Sequence, residues 1–336
     1  MSRIMVLGAG GWGIGLALVA VRMGHEVTLW SHDKGELEEI RLHNQNKLRL
    51  PGVFLPHDIR LTGELSAASE MDMVIMAVPS FAIRTTAHAL AAHLRPDTLV
   101  VNAGKGLEDG SLLRFSEVLE QELPTARIAV LSGPSHAEEV ARRVPTLVTV
   151  SSKDMSAARQ VQLALSQGNF RIYLNEDLIG VELGGALKNV IALCAGIVDG
   201  LSMGDNTKAA LMTRGLVEIA RLGIKMGAKE ATFAGLSGMG DLMVTCGSMH
   251  SRNLQAGILI GRGEAVETAI HHVGTVEGYL AARAAWELAC RYQVDMPLVE
   301  HCYRVCYEGM DPRQALAQLM ERPFGTEGHG EPLWMK

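Results

Sequence analysis

Lys188 is the only cation in residues 181–194, a run of mostly apolar or small residues with the pattern of a buried helix. An unpaired buried charge is costly, so this lysine needs either a partner or a chemical task. Glu182 lies six residues away, which does not place it on the same helix face. The lysine side chain could instead extend its ammonium group into water. We favour a role for Lys188 as a general acid or base, or as a positive charge at a substrate oxygen. We expect Gly184 and Ala192 to leave space around its ammonium group.

A second set of polar residues follows a glycine-rich segment later in the chain. Asp241 and Thr245 come at the start of a predicted helix, and Ser251, Arg252 and Asn253 follow shortly afterwards. The planar guanidinium group of Arg252 suits a phosphate, and its two neighbours add hydrogen-bonding groups. The simpler interpretation is a helix N-cap at Asp241 and a solvated helix start at Arg252. We favour a phosphate site.

The first residues of the chain predict a nucleotide-binding turn. An apolar strand at 4–7 runs directly into a G-x-G-x-x-G pattern formed by Gly8, Gly10 and Gly13, and an apolar helix follows. In this context the first glycine permits a tight turn, the second lets a pyrophosphate approach the backbone, and the third lets the helix pack on the strand. The start of the helix then presents N–H groups to the phosphates. We therefore predict dinucleotide binding.

The end of the second predicted strand bears on the choice between NAD and NADP. NAD-specific folds place an acidic residue there, on the ribose hydroxyls. Here the strand is followed by Ser31, His32, Asp33 and Lys34. The serine, histidine and lysine could accept a 2′-phosphate, whereas Asp33 could still serve as the ribose acid. We favour NADP, and NAD remains an alternative.

Polar residues also follow the later strands. Lys105 stands between two glycines after the fourth strand, and Gly133, Ser135 and His136 follow the fifth. Ligands of open α/β sheets bind beyond the carboxyl ends of the strands, so these residues are expected at the rim of the cofactor site. Ser135 could alternatively cap the next helix. A general-base role for His136 is disfavoured because no neighbouring residue in the sequence would orient it.

The strands and helices that carry these residues alternate in the first half of the chain. Strands are predicted at 4–7, 27–30, 73–78, 99–102, 128–131, 147–150 and 171–174. Helices are predicted at 15–23, 37–44, 82–93, 114–122, 137–142 and 157–165. Near-continuous apolar strands with intervening helices predict a mostly parallel sheet covered on both faces.

After about residue 175 the pattern becomes helical. Helices are predicted at 177–201, 206–226, 251–262, 276–292, 296–307 and 312–320. The predicted fold class is therefore α/β, with an N-terminal Rossmann doubly wound sheet and an all-helical C-terminal domain. The expected divisions are a dinucleotide-binding domain at 1–176, a substrate-binding domain at 177–321 and a flexible tail at 322–336.

Composition narrows the class of protein. The chain has 336 residues, which suits two domains, and 48% of them are hydrophobic, enough for large cores. Its formal charge of −6 argues against nonspecific nucleic-acid binding. Five scattered cysteines without metal-ligand spacing predict neither a disulfide framework nor a metal site. With no signal peptide and no uncharged apolar run of membrane-spanning length, we expect a cytoplasmic protein without membrane insertion.

Six ordered motifs together resemble one known family. They are Gly8-Ala9-Gly10-Gly11-Trp12-Gly13, Asn102-Ala103-Gly104-Lys105-Gly106, Gly133-Pro134-Ser135-His136-Ala137, Gly185-Ala186-Leu187-Lys188-Asn189, Gly238-Met239-Gly240-Asp241-Leu242 and Ser251-Arg252-Asn253. Their order and spacing resemble the bacterial NAD(P)-dependent glycerol-3-phosphate dehydrogenases, from residue 8 to about 278. The resemblance implies reversible reduction of dihydroxyacetone phosphate to sn-glycerol 3-phosphate, a supply of glycerol backbone for phospholipids, and a homodimer.

The resemblance also implies a role for individual residues. Lys188 would be the proton donor and acceptor at the C2 oxygen, with Lys105 and Asp241 beside the reaction. The implied substrate contacts are Lys105, Gly133, Ser135, Lys188, Asp241, Thr245, Ser251, Arg252 and Asn253. The implied cofactor contacts are Gly8, Gly10, Gly11, Trp12, Gly13, His32, Lys105, Ala137, Arg252, Val276 and Glu277. Thr275 departs from the usual Val-Val-Glu-Gly segment of the family, and no metal is implied.

Two other functions remain in competition. Reductases that resemble ketopantoate reductase or the β-hydroxyacid dehydrogenases also place a lysine on the first helix of a second domain, but their substrates carry carboxylates. Asp241 with Ser251, Arg252 and Asn253 favours the phosphate family. A nucleotide-sensing protein without turnover is disfavoured by Lys188 on its apolar helix.

Overall fold

The computed structural model describes residues 1–323. The chain divides into two compact units. The first unit comprises Met1–Glu108 and Leu113–Leu178, and the second comprises Asp109–Leu112 and the chain from Ile179 onward. This division falls close to the predicted domain boundary, except that Asp109–Leu112 groups with the second unit. There Arg283 donates to both carboxylate oxygens of Asp109 at 2.7 Å. Apart from residues 322 and 323, the predicted tail lies outside the described residues.

The first unit is built on one eight-stranded sheet. The strands are β1 (Arg3–Leu7), β2 (Glu26–Trp30), β3 (Arg60–Thr62), β4 (Met73–Met76), β5 (Leu99–Asn102), β6 (Arg127–Ser132), β7 (Thr146–Ser151) and β8 (Phe170–Asn175). Their order across the sheet is β3-β2-β1-β4-β5-β6-β7-β8. All neighbouring pairs are parallel except β6 and β7, which run antiparallel. The predicted Rossmann class is therefore confirmed.

Helices cover both faces of this sheet. They are α1 (Gly11–Arg22), α2 (Lys34–His43), α3 (Ile83–Ala91), α4 (Phe115–Glu122), α5 (Ala137–Ala141) and α6 (Met155–Leu165). Strand β1 shows why two layers form, because its side chains alternate between them. Ile4 and Val6 enter the core shared with α1 and α6, and Met5 and Leu7 enter the core shared with α3 and α4.

Two features of the sheet differ from the sequence prediction. Strand β3 was not predicted, since it has only three residues and its middle position, Leu61, is the single apolar one. The strand predicted at 73–78 ends at Met76 instead. Beyond it the chain bends at Val78, and the carbonyl oxygen of Ala77 lies so close to Gly8 that a Cβ there would be 2.6 Å away.

Within the described residues, the regular secondary structure of the second unit consists of helices, as predicted. Its helices are α7 (Leu178–Gly200), α8 (Gly204–Lys225), α9 (Glu230–Phe233), α10 (Asp241–Gly247), α11 (Arg252–Gly261), α12 (Val266–Val273), α13 (Glu277–Tyr292), α14 (Pro297–Tyr307) and α15 (Pro312–Met320). The sequence analysis missed α9 and α12, and for α10 it predicted only a helix start at Asp241, where the helix does begin. Both missed helices have eight residues or fewer, too few to show a helical repeat clearly.

Helix α7 is the central element of this unit. By length and composition it could cross a membrane, but the whole of its apolar stretch is buried, as in the core helix of a folded domain. Gly196 and Gly200 of α7 face Gly257 and Gly261 of α11. A Cβ atom on any of the four would overlap a backbone carbonyl oxygen of the opposite helix. The two backbones therefore touch, and α11 has a fixed position along α7.

Candidate active site

The three motif glycines occupy different environments at the end of β1. Gly8 has φ of +113°, and a Cβ there would lie 2.6 Å from the carbonyl oxygen of Ala77. A Cβ at Gly13 would overlap the carbonyl oxygen of Gly8. A Cβ at Gly10, in contrast, would meet nothing within 4 Å, and no side chain caps the start of α1 there. Open space therefore lies beside a helix N-terminus, which is what a pyrophosphate requires.

A segment that the sequence analysis did not single out packs against this turn. The buried Asn46 donates through Nδ2 to the carbonyl oxygen of Ala9 at 3.0 Å and to Glu36 at 2.8 Å. A Cβ at Gly11 would lie 3.0 Å from the carbonyl oxygen of Arg49. The loop at 46–49 thus lies against the nucleotide-binding turn. The polar run at 44–46 was its only signal in the sequence.

Two predicted cofactor contacts lie near the same turn. Trp12 donates through its indole nitrogen to the carbonyl oxygen of Ala103 at 3.0 Å, which connects α1 to the end of β5. Ala137 lies against Gly11, since a Cβ at this glycine would be 3.4 Å from the Cβ of Ala137. The loops after β1, β5 and β6 therefore meet at the carboxyl end of the sheet.

The four residues that follow β2 separate into two groups. Ser31 is buried and donates to Glu36 at 2.6 Å, so the expectation that it would face a 2′-phosphate is wrong. Asp33 caps α2 by accepting from the backbone N–H groups of Gly35 and Glu36. His32 and Lys34 are exposed. Of the three residues expected to meet a 2′-phosphate, these two therefore have exposed side chains.

Lys105 and Ser135 converge on one backbone carbonyl. The Lys105 ammonium donates to the carbonyl oxygen of Gly133 at 2.8 Å, and the Ser135 hydroxyl donates to the same oxygen at 3.0 Å. The alternative of Ser135 as a helix cap is wrong, because α5 has His136 at its N-cap position, without a side-chain bond. Three predicted substrate contacts of the first unit are thereby assembled at the ends of β5 and β6.

Lys188 is buried in the second unit, with a relative exposure of 5%. Its ammonium forms an ion pair with Asp241 and donates to the Thr245 hydroxyl at 2.6 Å. That hydroxyl donates in turn to the carbonyl oxygen of Asp241 at 2.6 Å. The lysine therefore has the partner that its burial requires, and the partner comes from a helix 53 residues away in sequence. Asp241 is the first residue of α10 and not its N-cap.

Asp241 follows a single turn of π-helix at Leu236–Gly240. Such turns are rare, and they occur frequently at functional sites. Only glycine fits at position 238, where a Cβ would overlap the carbonyl oxygen of Phe233. The glycines of this segment thus permit the tight path by which Asp241 reaches Lys188.

Cys246 follows Thr245 on α10 and is fully buried. Burial raises the pKa of the Cys246 thiol to about 12, although the Lys188 ammonium acts in the opposite direction. The thiol is therefore protonated at neutral pH and does not compete for the ammonium as a thiolate.

The Ser251-Arg252-Asn253 tripeptide does not present three side chains in one direction. Ser251 is buried and caps α11 by accepting from the backbone N–H of Leu254 at 3.2 Å. Arg252 is exposed. Asn253 is buried and bonds to Asn189 and to the backbone of Gly278. In this structure Arg252 is thus the member that faces outward.

The predicted cofactor contacts of the second unit lie at the start of α13. Val276 is the N-cap residue and is buried, and Glu277 is the first helical residue and is half-buried. Within residues 1–323 no cluster of His, Cys, Asp or Glu side chains is arranged to hold a metal ion.

Comparisons of sequence identify relatives over nearly the whole chain. The NAD-dependent glycerol-3-phosphate dehydrogenase N-terminus model matches residues 3–158, and the corresponding C-terminus model matches residues 177–317. The glycerol-3-phosphate dehydrogenase [NAD(P)+] of Desulfitobacterium hafniense is 51% identical over 96% of this chain and 92% of its own length. That of Moorella thermoacetica is 50% identical over 96% of both chains.

Comparisons of structure lead to the same family. The crystal structure of glycerol-3-phosphate dehydrogenase from Coxiella burnetii matches with a TM-score of 0.92 and 37% identity, over 96% of this chain and 99% of that one. A ketopantoate reductase from Ralstonia eutropha matches with a TM-score of 0.61 and 13% identity, over 95% of this chain and all of that one. The second likeness extends to the fold alone.

Proposed function

We propose that this chain, which belongs to the NAD-dependent glycerol-3-phosphate dehydrogenase family, reduces dihydroxyacetone phosphate reversibly to sn-glycerol 3-phosphate with Lys188 as the proton donor. The observation that carries the assignment of this residue is the buried group formed by Lys188, Asp241 and Thr245. The family implies that the product supplies the glycerol backbone of phospholipids.

The nucleotide-binding turn fits the cofactor that the family uses, NAD or NADP. The open space at Gly10 and the uncapped start of α1 support this fit. The residues proposed to hold the cofactor are Gly8, Gly10, Gly11, Trp12, Gly13, His32, Lys105, Ala137, Arg252, Val276 and Glu277. When bound in its reduced form, the nicotinamide supplies a hydride to the C2 carbon.

Lys188 is proposed to deliver a proton to the C2 oxygen. Reduction of a ketone builds negative charge on this oxygen, and an ammonium group both stabilises that charge and donates the proton. Asp241 and Thr245 both contact the ammonium group of Lys188 and hold it in one orientation. In the oxidation direction, the neutral amine would accept the proton from the alcohol.

The proposed substrate contacts divide by the chemistry they offer. Arg252 is proposed to bind the phosphate, because its guanidinium is exposed at the start of α11. Lys105 and Asp241 are proposed to act close to the reacting carbon. The remaining proposed contacts are Gly133, Ser135, Thr245, Ser251 and Asn253, of which Ser251 and Asn253 are buried.

The test is turnover with dihydroxyacetone phosphate in the wild type and in Lys188→Ala. We expect the variant to keep its affinity for NADPH, measured by fluorescence titration, and to lose roughly 10²- to 10⁴-fold in kcat. Arg95→Ala, which removes a side chain bonded to Met71 and Asp72 just before β4, is the control and should keep full activity. An active Lys188→Ala enzyme would refute the assignment of the proton donor.

We propose a preference for NADPH over NADH. The exposed side chains of His32 and Lys34 support this preference. Asp33, the acidic residue after β2, is already engaged as the N-cap of α2. Rates with NADPH and NADH measured side by side test this preference. Faster turnover with NADH would contradict it while leaving the reaction intact.

Three further assignments remain proposals. We propose a homodimer, as the family implies, and sedimentation of the purified chain would test this. We propose a cytoplasmic location, which suits five cysteines that are all free in the structure. We also retain the functional division into a cofactor domain at 1–176, a substrate domain at 177–321 and a tail at 322–336.

Reduction of a carboxylate substrate is the disfavoured alternative, since the ketopantoate reductase matches in fold alone.

A further inference from the structure

Asn253 has both ends of its side-chain amide engaged inside the second unit. Its Nδ2 group donates to Oδ1 of Asn189 at 2.9 Å, and its Oδ1 atom accepts from the backbone N–H of Gly278 at 2.8 Å. Asn253 is 8% exposed and Asn189 is 6% exposed. A Cβ at residue 278 would overlap the carbonyl oxygen of Asn189 and lie 3.1 Å from Oδ1 of Asn253. Only glycine therefore allows the three segments to meet so closely.

Each member of this network follows a proposed ligand contact in the chain. Asn189 follows Lys188 on α7, Asn253 follows Arg252 on α11, and Gly278 follows Glu277 on α13. One buried set of hydrogen bonds thus joins the backbones that carry the proton donor, the proposed phosphate contact and a proposed cofactor contact.

We propose that Asn189, Asn253 and Gly278 form a positioning network that couples cofactor binding to substrate binding. This inference rests on the proposed function, because it takes Arg252 and Glu277 as ligand contacts. A cofactor bound at Glu277 stabilises the position of the neighbouring Gly278 N–H, which holds the Asn253 amide and, with it, the first turn of α11. Coupling of this kind is reciprocal, so the substrate strengthens cofactor binding by the same factor.

Burial gives the network its effect. A buried amide that loses one partner keeps an unsatisfied polar group, so the network favours one joint arrangement of the three segments over partly broken ones. A phosphate contact by Asn253 alone makes a different prediction. In that case Asn253 would alter the affinity for substrate. Changes at Asn189 would leave the affinity for the cofactor, measured without substrate, unchanged.

The experiment measures the dissociation constant of NADPH with and without saturating sn-glycerol 3-phosphate, a pair that cannot react. We expect the ratio of the two constants in the wild type to be about fivefold or more. Asn189→Leu, which has similar size but no acceptor for Asn253, should bring the ratio close to one. Asn189→Asp, which keeps the acceptor, should restore most of the coupling.

Gly200→Ala is the control, because it disturbs the contact between α7 and α11 at the end remote from the network. We expect it to lower thermal stability and to keep the coupling ratio. A ratio in Asn189→Leu equal to the wild type, or an equal loss in Gly200→Ala, would overturn the proposal. A wild type that neither binds sn-glycerol 3-phosphate nor oxidises NADPH with dihydroxyacetone phosphate would instead refute the proposed function.

Discussion

Gly184 lies directly against the backbone of Ser237, one helical turn before Lys188. A Cβ atom at Gly184 would be 2.6 Å from the carbonyl oxygen of Ser237 and 3.3 Å from the Cα of Gly238. Gly184 thus makes room for the π turn that leads to Asp241, and the backbone of Ser237 fills the space at its α-carbon. The contact sets the distance between α7 and the residue that pairs with Lys188.

Gly184→Ala should therefore reduce catalysis without removing any charged group. The added methyl must push the π turn away from α7, and small displacements of a reacting group cost up to about 10²-fold in rate. We expect kcat to fall about 10- to 100-fold, with little change in the affinity for NADPH. Steady-state kinetics and cofactor titration measure the two effects.

Gly200→Ala provides the matched control for Gly184→Ala. It introduces a comparable backbone clash on the same helix, about 24 Å from Gly184 at 1.5 Å per residue. Both variants should lose stability by about 1–3 kcal/mol, as overpacked cores do. If kcat falls equally in both, general destabilisation accounts for the loss and the positioning role of Gly184 is wrong.

Two glycines of the nucleotide-binding turn should respond differently to alanine. Gly10→Ala adds a methyl group to open space, so the protein should fold with nearly unchanged thermal stability while NADPH affinity falls, because the methyl occupies the approach of the pyrophosphate. Gly13→Ala places a methyl on the carbonyl oxygen of Gly8, so stability itself should fall. Thermal melting and fluorescence titration of both variants check this contrast, and full NADPH affinity in Gly10→Ala would contradict it.

The contributions of Lys188 and Asp241 to the free energy of unfolding should be strongly coupled. Removal of one partner from a buried pair leaves an uncompensated charge and costs about 3–5 kcal/mol. We expect Lys188→Met and Asp241→Asn each to lower the free energy of unfolding by about this amount. The double variant should lose much less than the sum, because neither charge remains. Urea unfolding of all four proteins measures the coupling, and additive losses would show that the two side chains act independently.

Glu218 should make stability depend on pH. This buried residue of α8 accepts backbone hydrogen bonds from Leu298 at 3.0 Å and Val299 at 3.2 Å. Burial raises the pKa of its carboxyl group to about 8, although these N–H donors act in the opposite direction. The folded state therefore retains a proton that the unfolded state releases near pH 4.5. The associated stability is complete below that pH and is lost as the pH rises towards 8.

Glu218→Gln should remove this dependence, because the amide oxygen still accepts from the backbone and does not ionise. We expect the variant to gain stability relative to the wild type as the pH is raised from 5 to 8. Urea unfolding at several pH values gives the difference. Parallel stability curves for the two proteins would show that Glu218 is not protonated in the folded state over this range.

The sequence predicted those features that depend on residues adjacent in the chain. The apolar run at 4–7, the glycines that follow it and the next helix form one continuous unit, so their spacing alone indicated a nucleotide-binding turn. The long helical repeat from residue 177 likewise predicted an all-helical second part. Short elements such as β3 were missed, because three residues do not show a periodic pattern.

What only the tertiary structure decided is which distant side chains meet. The apolar surroundings of Lys188 showed that it needs a partner, but the choice of Asp241 depends on the π turn and on the missing side chain of Gly184. The same holds for Asn253, whose neighbours are 64 and 25 residues away. Local pattern determines the burial of a residue, because burial follows the face of its own helix or strand. The identity of a contact follows from how separate elements pack, and no single segment contains that information.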